Sequence, residues 1–336
     1  MRAIEVAYPG GPMELVERPL PEPGPGEVRV KVQACGVCHS DEVSKEGYFP
    51  NLAYPLTPGH EVAGVIDALG PGVVGWGLGQ RVGVGWFGGQ CGHCDRCRRG
   101  DFTTCRNSPI TGVTRNGGYA EAMIAHSTAL ALIPDELSAV EAAPMLCAGI
   151  STYNALLRCG ARPGDLVAVQ GIGGLGHLAV QFAARMGFRV AAIARGPERE
   201  ALARQLGALH YVDGADPAAV GLALQALGGA RAVIATAPDA RSISAAIEGL
   251  NLEGVLVVLG VSGEPIEVLP RLLLSGRKVT GSAGGAAIES EAAMAFSVLT
   301  GVRPMVETFP LERAGEAYER MMAGQAQLRI VLTTGQ

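Results

Sequence analysis

The pattern of apolar and polar positions divides the chain into two kinds of segment. In the first part, short stretches such as Glu27–Gln33 and Glu61–Ile66 alternate apolar and polar residues between turns rich in proline and glycine. This pattern predicts the short strands of a small β-barrel. Four continuous apolar runs, each followed by a glycine-containing turn and a helical segment, come after residue 150: 166–170, 190–194, 232–235 and 255–259. Such runs predict parallel strands that are covered by helices on both faces.

Helical periodicity supports the second kind of segment. Leu175, Leu178, Phe182 and Met186 are spaced by three, four and four residues, which predicts one helix face packed against the sheet. The tail is predicted to be helical near 289–296 and 314–322 and to close with a strand at 328–332. We therefore expect an α/β protein with a β-rich domain at 1–150 and 286–336 and an inserted doubly wound parallel-sheet domain at 151–285.

Composition narrows the class of protein. A chain of 336 residues exceeds the size at which one core keeps growing, so two domains are expected. A net charge of -5 without a long basic run gives no footprint for nucleic acid or an anionic membrane, which leaves a small molecule as the expected partner. Glu5 interrupts the apolar stretch that a signal peptide needs, and no apolar run reaches a membrane-spanning length. A cytoplasmic location is predicted, where eight cysteines indicate metal ligation rather than disulfides.

Four of these cysteines form a compact cluster. Cys91, Cys94, Cys97 and Cys105 have the spacing C-x2-C-x2-C-x7-C, which suits a closed tetrahedral site for structural zinc. The surrounding lobe, 88–106, is rich in glycine, arginine and aspartate, so apolar packing alone would not fold it. His93 inside the cluster is predicted to be a surface residue.

A second metal site requires residues that are far apart in the sequence. Cys38, His60 and Cys147 offer two thiolates and one imidazole, a set that leaves a fourth position on zinc open for a substrate oxygen. Each residue alone has another interpretation. A single histidine is often a hydrogen-bonded core residue, and Cys35 with Cys38 has the spacing of a redox pair.

A glycine-rich fingerprint indicates dinucleotide binding. Gly171, Gly173, Gly174, Leu175 and Gly176 follow a predicted strand and precede a predicted helix, whose N-terminus would meet the pyrophosphate.

The next strand predicts which dinucleotide is used. It ends in Ala194, Arg195 and Gly196, without the carboxylate that holds the ribose of NAD. Arg195, helped by Arg199, could pair with a 2′-phosphate, so NADP(H) is favoured. The alternative is that Arg195 lines the adenine face and NAD is used.

These motifs, taken in order, resemble those of the zinc-dependent alcohol dehydrogenases of the medium-chain dehydrogenase/reductase superfamily. The resemblance spans nearly the whole chain and rests on the segments 35–41, 59–61, 91–105, 117–121, 147–149 and 171–176. It implies a GroES-like β-barrel catalytic domain with an inserted Rossmann domain, two zinc ions per chain and a nicotinamide cofactor. Homo-oligomers, either dimers or tetramers, are implied by the resemblance alone.

The resemblance also assigns catalytic roles. It implies that Cys38, His60 and Cys147 bind the catalytic zinc and that Glu61 exchanges transiently as a further ligand. It further implies that Asp41 orients His60.

The proton path follows from the same resemblance. Ser40 would receive the alcohol proton, and His39 would contact the cofactor pyrophosphate. Relatives often carry a histidine three positions beyond this serine, where the chain has Val43. The relay therefore either ends at Ser40 and the cofactor ribose or is finished by water or His39.

Further cofactor contacts are implied at four positions. Ser151 would lie behind the nicotinamide ring, Gly260 and Val261 would border the cofactor, and Arg329 would reach its pyrophosphate. An ordinary turn and a surface charge are the alternatives for the last three.

Aromatic residues are the candidates for the substrate pocket. Trp86 and Tyr48, with Phe49, are candidates, and an aromatic residue at position 86 narrows the pocket toward small or primary alcohols in relatives. A core role is the alternative for Tyr48 and Phe49.

The predicted function is therefore reversible hydride transfer between a primary or small alcohol, or its aldehyde, and NAD(P). One alternative is an NADPH-dependent aldehyde reductase, cinnamyl-type or general. Another is a non-catalytic zinc- and nucleotide-binding protein on the same fold. Zinc-free quinone reductases should lack both Cys38 and the four-cysteine lobe, which this chain has.

Overall fold

The computed structural model describes residues 1–335, which form two compact units. The first unit comprises Met1–Cys147, Gly285–Leu299 and the residues from Pro304 onward, and the second comprises Ala148–Gly284 with Thr300–Arg303. From the sequence, the domain boundaries are expected at 150/151 and 285/286, with residues 300–303 in the first domain. Residue 336, the last of the predicted first domain, lies outside the described residues.

The strands within residues 1–335 are β1 Arg2–Val6, β2 Met13–Glu17, β3 Glu27–Val37, β4 Val62–Leu69, β5 Arg81–Val84, β6 Ala122–His126, β7 Leu130–Leu132, β8 Leu166–Gln170, β9 Arg189–Ala194, β10 His210–Asp213, β11 Ala230–Ala235, β12 Leu250–Val258, β13 Lys278–Gly281, β14 Val306–Pro310 and β15 Arg329–Thr333. The α-helices are α1 Glu42–Glu46, α2 Asp95–Arg98, α3 Ala139–Pro144, α4 Ile150–Arg158, α5 Gly176–Arg185, α6 Glu200–Gln205, α7 Pro217–Ala226, α8 Ala240–Ile247, α9 Pro270–Leu274, α10 Ala287–Thr300 and α11 Ala314–Met322. Among these residues, no helix combines the length and the apolar character needed to cross a membrane.

A seven-stranded sheet forms the framework of the first unit. Its order is β14-β15-β3-β4-β5-β7, with β6 paired to β3, and all pairs except β14–β15 are antiparallel. The alternation predicted for β3 is confirmed, because Val28, Val30 and Val32 are buried in the core while Lys31 is exposed. The predicted return of the tail to this unit is also seen, since β15 pairs with β3.

The antiparallel register places the termini of several strands next to one another at one end of this sheet. Cys35 of β3 pairs with Val62 at the start of β4, and Val37 pairs with Ile330 at the start of β15. Val62 also pairs with Val84 at the end of β5. The residues that follow β3 and β5 and the residues that precede β4 and β15 therefore meet at the same end of the strands. The candidate site lies at this end.

The second unit is built on a six-stranded parallel sheet with the order β10-β9-β8-β11-β12-β13. This is the strand order of a doubly wound dinucleotide-binding fold, so the predicted fold class is confirmed. Helix α5 begins at Gly176 and ends at Arg185, with Leu178 and Phe182 fully buried. Leu175 and Met186, predicted on the same packed face, flank the helix and are only half-buried.

Candidate metal and nucleotide sites

The four-cysteine cluster closes as the spacing predicts. The sulfur atoms of Cys91, Cys94, Cys97 and Cys105 all lie within 4.8 Å of one another. Cys91 Sγ is 4.0 Å from Cys97 Sγ and 3.7 Å from Cys105 Sγ. Tetrahedral zinc–thiolate bonds of about 2.3 Å require sulfur separations of roughly 3.8 Å. The four sulfur atoms therefore fit one zinc ion.

The local chain supplies donors to these sulfur atoms. The Cys94 amide donates to Cys91 Sγ at 3.4 Å, the Cys97 amide donates to Cys94 Sγ at 3.5 Å, and Asn107 Nδ2 donates to Cys91 Sγ at 3.4 Å. The Asn107 amide and neighbouring backbone N–H groups lower the pKa of Cys91 to about 5, which favours the thiolate that binds metal. His93 is exposed and is not part of the ligand group, as the sequence predicts.

The second cluster brings together Cys38, His60, Glu61 and Cys147, whose ligand atoms also lie within 4.8 Å of one another. The Sγ atoms of Cys38 and Cys147 are 3.9 Å apart. Cys38 follows β3, while His60 and Glu61 precede β4, so the strand register accounts for three members.

Cys147 reaches the cluster by another route. It lies in a π-helical turn, Met145–Gly149, that continues from α3, and single π-turns within helices are frequent at functional sites. The preceding residue, Leu146, packs against Gly83 of β5, where any side chain would overlap it. Because β5 ends beside the start of β4, this packing holds Cys147 near His60.

The imidazole of His60 is oriented for a ligand. Its Nδ1 lies 2.9 Å from Oδ1 of Asp41, and both side chains are almost fully buried. Its Nε2 is buried and has no hydrogen-bond partner within residues 1–335. Buried polar atoms in native proteins nearly always have a partner, so this atom fits a metal ion.

Charge at the cluster also suits a cation. The contact between the two thiol groups lowers the pKa of Cys38 well below its usual range and raises the pKa of Cys147. Burial lowers the pKa of His60, but the Asp41 carboxylate and Cys38 outweigh burial and the net shift is upward. The cluster therefore holds one thiolate, and a bound zinc ion would displace the protons of Cys147 and His60.

Glu61 forms a buried ion pair that the sequence analysis missed. Both carboxylate oxygens contact the guanidinium of Arg329, and the two side chains are fully or almost fully buried. Burial raises the pKa of Glu61 to about 7, although Arg329 opposes this shift. Gly36 provides the space, because a β-carbon there would overlap the Glu61 carboxylate. The contact of Arg329 with a cofactor stays a prediction, and this structure gives its guanidinium a partner at the metal cluster.

Tyr119 is a further residue without a predicted role. Its hydroxyl donates to Oδ2 of Asp41 at 2.7 Å, and the Cys38 amide donates to the same oxygen at 2.9 Å. Burial holds the pKa of Tyr119 well above its usual value, so its hydroxyl remains a donor. The sequence places Tyr119 in a glycine-containing loop but carries no signal that its hydroxyl faces Asp41.

The remaining predicted residues of the first unit differ in exposure. Trp86 follows β5 and meets the His60 ring edge-on, with ring centroids 5.0 Å apart. Ser40 is half-buried in the 3₁₀ turn His39–Asp41. The His39 side chain is 59% exposed, with Nε2 3.5 Å from a Glu42 oxygen. Tyr48 is 63% exposed and also contacts Glu42. Trp86 therefore contacts a candidate zinc ligand.

The fingerprint loop of the second unit borders a cavity of about 320 Å³. Gly171 has a φ of +90°, and a β-carbon at Gly176 would overlap the Gly171 carbonyl oxygen, so the first and last glycines are required by the turn itself. A β-carbon at Gly173 would meet no protein atom within 4 Å. The open space beside Gly173 fits a cofactor backbone that approaches closely.

The residues that line this cavity include a carboxylate that was not expected from the sequence. Ala194, Arg195 and Arg199 line it as predicted, but Glu198 lines it as well. The expectation that no carboxylate lies at this position is wrong, because the turn after Gly196 folds Glu198 back toward the end of β9.

Other predicted cofactor residues lie at separate points of the second unit. Gly260 is buried against Thr236 and Ala237, and Ala237 also lines the cavity. Val261 is largely exposed. Ser151 is half-buried near the start of α4. Their cofactor contacts stay predictions.

The fold and the two clusters define a class of protein: two units, with cysteine-rich candidate metal sites and a dinucleotide-binding sheet. Residues 24–135 match the alcohol dehydrogenase GroES-like domain family, and residues 174–298 match the zinc-binding dehydrogenase family. The chain is 43% identical to alcohol dehydrogenase patD of Penicillium expansum over 327 residues, covering 96% of this chain and 95% of the relative.

Two further comparisons span the full length. An alcohol dehydrogenase of Geobacillus stearothermophilus is 40% identical, with 99% of each chain covered. A solved NAD-dependent alcohol dehydrogenase superposes with a TM-score of 0.91 at 29% identity, with 100% of each chain covered. The chain belongs to the zinc-dependent alcohol dehydrogenases of the medium-chain dehydrogenase/reductase superfamily. It is an oxidoreductase that uses a nicotinamide cofactor, as the sequence predicts.

Proposed function

We propose that Cys38, His60 and Cys147 hold the catalytic zinc of this dehydrogenase and that the four-cysteine lobe holds a structural zinc. The observation that carries the proposal is the buried Nε2 of His60, which has no partner in residues 1–335 and belongs to a cluster with two thiol groups. Zinc bound by two thiolates and one imidazole supplies a Lewis acid with a position for the substrate oxygen.

The chain's own residues position the reactants and move the proton. Asp41 fixes the His60 ring through Nδ1, and Ser40 receives the alcohol proton. Val43 cannot pass the proton on, but His39, exposed beside Glu42, offers a route to solvent. A nicotinamide cofactor bound to the second unit would supply or accept the hydride of the reaction.

Trp86 supports a preference for small or primary alcohols. Its ring meets the edge of His60, so a bulky indole stands beside a candidate zinc ligand and restricts the space there. The three proposed zinc ligands and Trp86 all belong to the first unit. We expect the specificity constant to fall as the alcohol carries a second substituent on its reacting carbon.

Metal analysis with the Cys147→Ser variant tests the catalytic site. The wild-type chain should hold two zinc ions, and Cys147→Ser should hold one and lose turnover because the open site loses a thiolate. Cys159→Ser is a matched control, since Cys159 is a buried free thiol outside both clusters. A Cys147→Ser variant that keeps both ions and its activity would contradict the proposal.

We also propose that NADP(H) is preferred over NAD(H). Arg195 and Arg199 on the cavity wall support this preference, while the carboxylates of Glu198 and Asp239 on the same wall oppose it. Arg195→Ala should lower kcat/KM for NADPH by about 10- to 100-fold, the usual effect of a lost hydrogen bond to a charged group, and leave NADH nearly unchanged. Equal losses with both cofactors would show that Arg195 contacts the part that they share.

An NADPH-dependent aldehyde reductase is the second candidate, and the same arginine pair favours it. Initial rates with NADPH and NADH against a panel of aldehydes, including cinnamyl aldehydes, distinguish the two. A reductase should show a specificity constant for an aldehyde with NADPH that clearly exceeds the value for the matching alcohol with NADP⁺.

The cysteines and an exposed strand bear on where the protein is located and on how its chains assemble. We propose a cytoplasmic location because the eight cysteines are free thiols and seven of the eight lie in or beside the two ligand clusters. We further propose a homo-oligomer in which β13 takes part. This edge strand is exposed along all four residues, and Leu274 just before it is 89% exposed.

A further inference from the structure

The Tyr119 side chain forms a hydrogen bond with Asp41, the carboxylate that lies beside His60. Its hydroxyl and the Cys38 amide both donate to Oδ2 of Asp41, at 2.7 and 2.9 Å. Oδ1 of the same carboxylate lies 2.9 Å from Nδ1 of His60. Oδ2 therefore has two hydrogen-bond donors, whereas Oδ1 has the ion-pair contact with His60 but no hydrogen bond within residues 1–335. Among these residues, Tyr119 is the side chain that donates to Oδ2.

The ring of Tyr119 supports the same histidine from the other side. Gly59, the residue before His60, has a φ of +99°, and a β-carbon there would overlap the Tyr119 ring. Two backbone hydrogen bonds tie the segments together, from Gly118 N to Gly59 O at 2.9 Å and from Tyr119 N to Pro58 O at 3.0 Å. The ring thus lies against the backbone from which His60 projects.

We propose that Tyr119 is a positioning residue for His60, acting through Asp41 by its hydroxyl and through Gly59 by its ring. This inference rests on the proposed function, in which His60 binds the catalytic zinc. With the hydroxyl in place, the Asp41 carboxylate keeps one orientation, so Oδ1 stays beside Nδ1 and Nε2 stays available to the metal. Without it, Oδ2 retains one donor and the carboxylate can rotate.

The Tyr119→Phe variant of the zinc-loaded enzyme tests the hydroxyl while keeping the ring. Competition with a chromophoric chelator measures the zinc affinity of each site. Affinity at the His60 site should fall about tenfold, near the lower end of the effect of partners that orient metal ligands, and affinity at the four-cysteine site should not change.

Tyr54→Phe is the matched control. It removes a hydroxyl hydrogen bond of equal length, 2.7 Å, to the Ser44 carbonyl oxygen in the same unit. This variant should retain wild-type affinity at both sites.

Cobalt substitution provides a readout that general loosening of the fold would not change. The visible bands of Co²⁺ in the His60 site should shift in Tyr119→Phe because the imidazole orientation changes, whereas those of Tyr54→Phe should match wild type. In an Asp41→Ala background, Tyr119→Phe should have a smaller effect on zinc affinity, since its acceptor is gone.

The zinc and cobalt measurements can contradict the role of Tyr119 without contradicting the proposed function. A wild-type protein with two ions and a Tyr119→Phe variant with unchanged affinity and cobalt bands would overturn the role of Tyr119 alone. A wild-type protein that binds only one ion, in the four-cysteine lobe, would overturn the proposed function and this inference with it.

Discussion

At the scale of single residues, the ion pair between Glu61 and Arg329 is a buried contact within the candidate metal cluster. Both side chains are buried, and the carboxylate occupies the space that Gly36 leaves. A buried ion pair adds little stability over apolar packing, but removal of one partner leaves a buried charge without compensation.

Arg329→Met should therefore destabilise the protein by about 3–5 kcal/mol at pH 8. The pKa of Glu61, already raised to about 7 beside Arg329, should rise further. A raised carboxyl pKa gives stability that is present at low pH and lost as pH rises, so the penalty should shrink toward pH 6. Chemical denaturation of wild type and Arg329→Met at pH 8 and pH 6 measures the difference in the free energy of unfolding.

Arg313→Met provides the control for this variant. Arg313 pairs with Glu316 on the surface, where both side chains are 55% exposed, so its loss should cost less than about 1 kcal/mol at either pH. A penalty for Arg329→Met that does not depend on pH would contradict the assignment of the effect to the Glu61 charge.

Residues whose role follows from local spacing could be predicted from the sequence, and those whose role depends on distant pairing could not. The four cysteines of the lobe lie within fifteen positions, and their spacing alone indicates a closed site. The partner of Arg329 lies 268 positions away and is set by the register of β15 and β4 on β3. No local pattern carries that information.

At the scale of elements, the fingerprint loop shows that its glycines serve different purposes. Gly171 and Gly176 are required by the turn, whereas Gly173 faces open space. The strand, turn and helix were predictable from the apolar run and the glycines. The position of Glu198 was not, because it depends on how the turn after β9 folds back.

Two substitutions in this loop should separate folding from binding. Gly176→Ala should lower the melting temperature clearly, because its β-carbon would overlap the Gly171 carbonyl oxygen. The melting temperature of Gly173→Ala should lie within about 2 °C of wild type, because the added β-carbon meets no protein atom and should change the free energy of unfolding by less than about 0.5 kcal/mol. The same variant should bind the cofactor at least tenfold more weakly. Thermal scans and cofactor titration by fluorescence measure both. Unchanged cofactor affinity in Gly173→Ala would refute the role of the open space.

At the scale of the whole molecule, the open side of β13 is the feature that bears on assembly. The strand lies at one end of the six-stranded sheet, with Val279 exposed within it. Unpaired backbone groups on such an edge are available to another chain. Composition and hydropathy along the sequence could not reveal this edge, since strand order is a property of the folded sheet.

Val279→Asp should shift the protein to a smaller species in size-exclusion chromatography with light scattering. A charged side chain on the edge disfavours strand pairing between two copies. Leu222→Asp is the control, because Leu222 is 76% exposed on helix α7 and is not part of β13. An unchanged mass for Val279→Asp would exclude β13 from the interface.

The pairing of β15 with β3 also has a consequence for biosynthesis. During translation the ribosome makes Cys38, His60, Glu61 and Cys147 first, then the complete nucleotide-binding sheet, and only later Arg329. Until Arg329 emerges, the nascent Glu61 carboxylate lacks its counter-charge. We therefore expect the proposed zinc site at His60 to be completed late in synthesis, after all four cysteines of the lobe have been made.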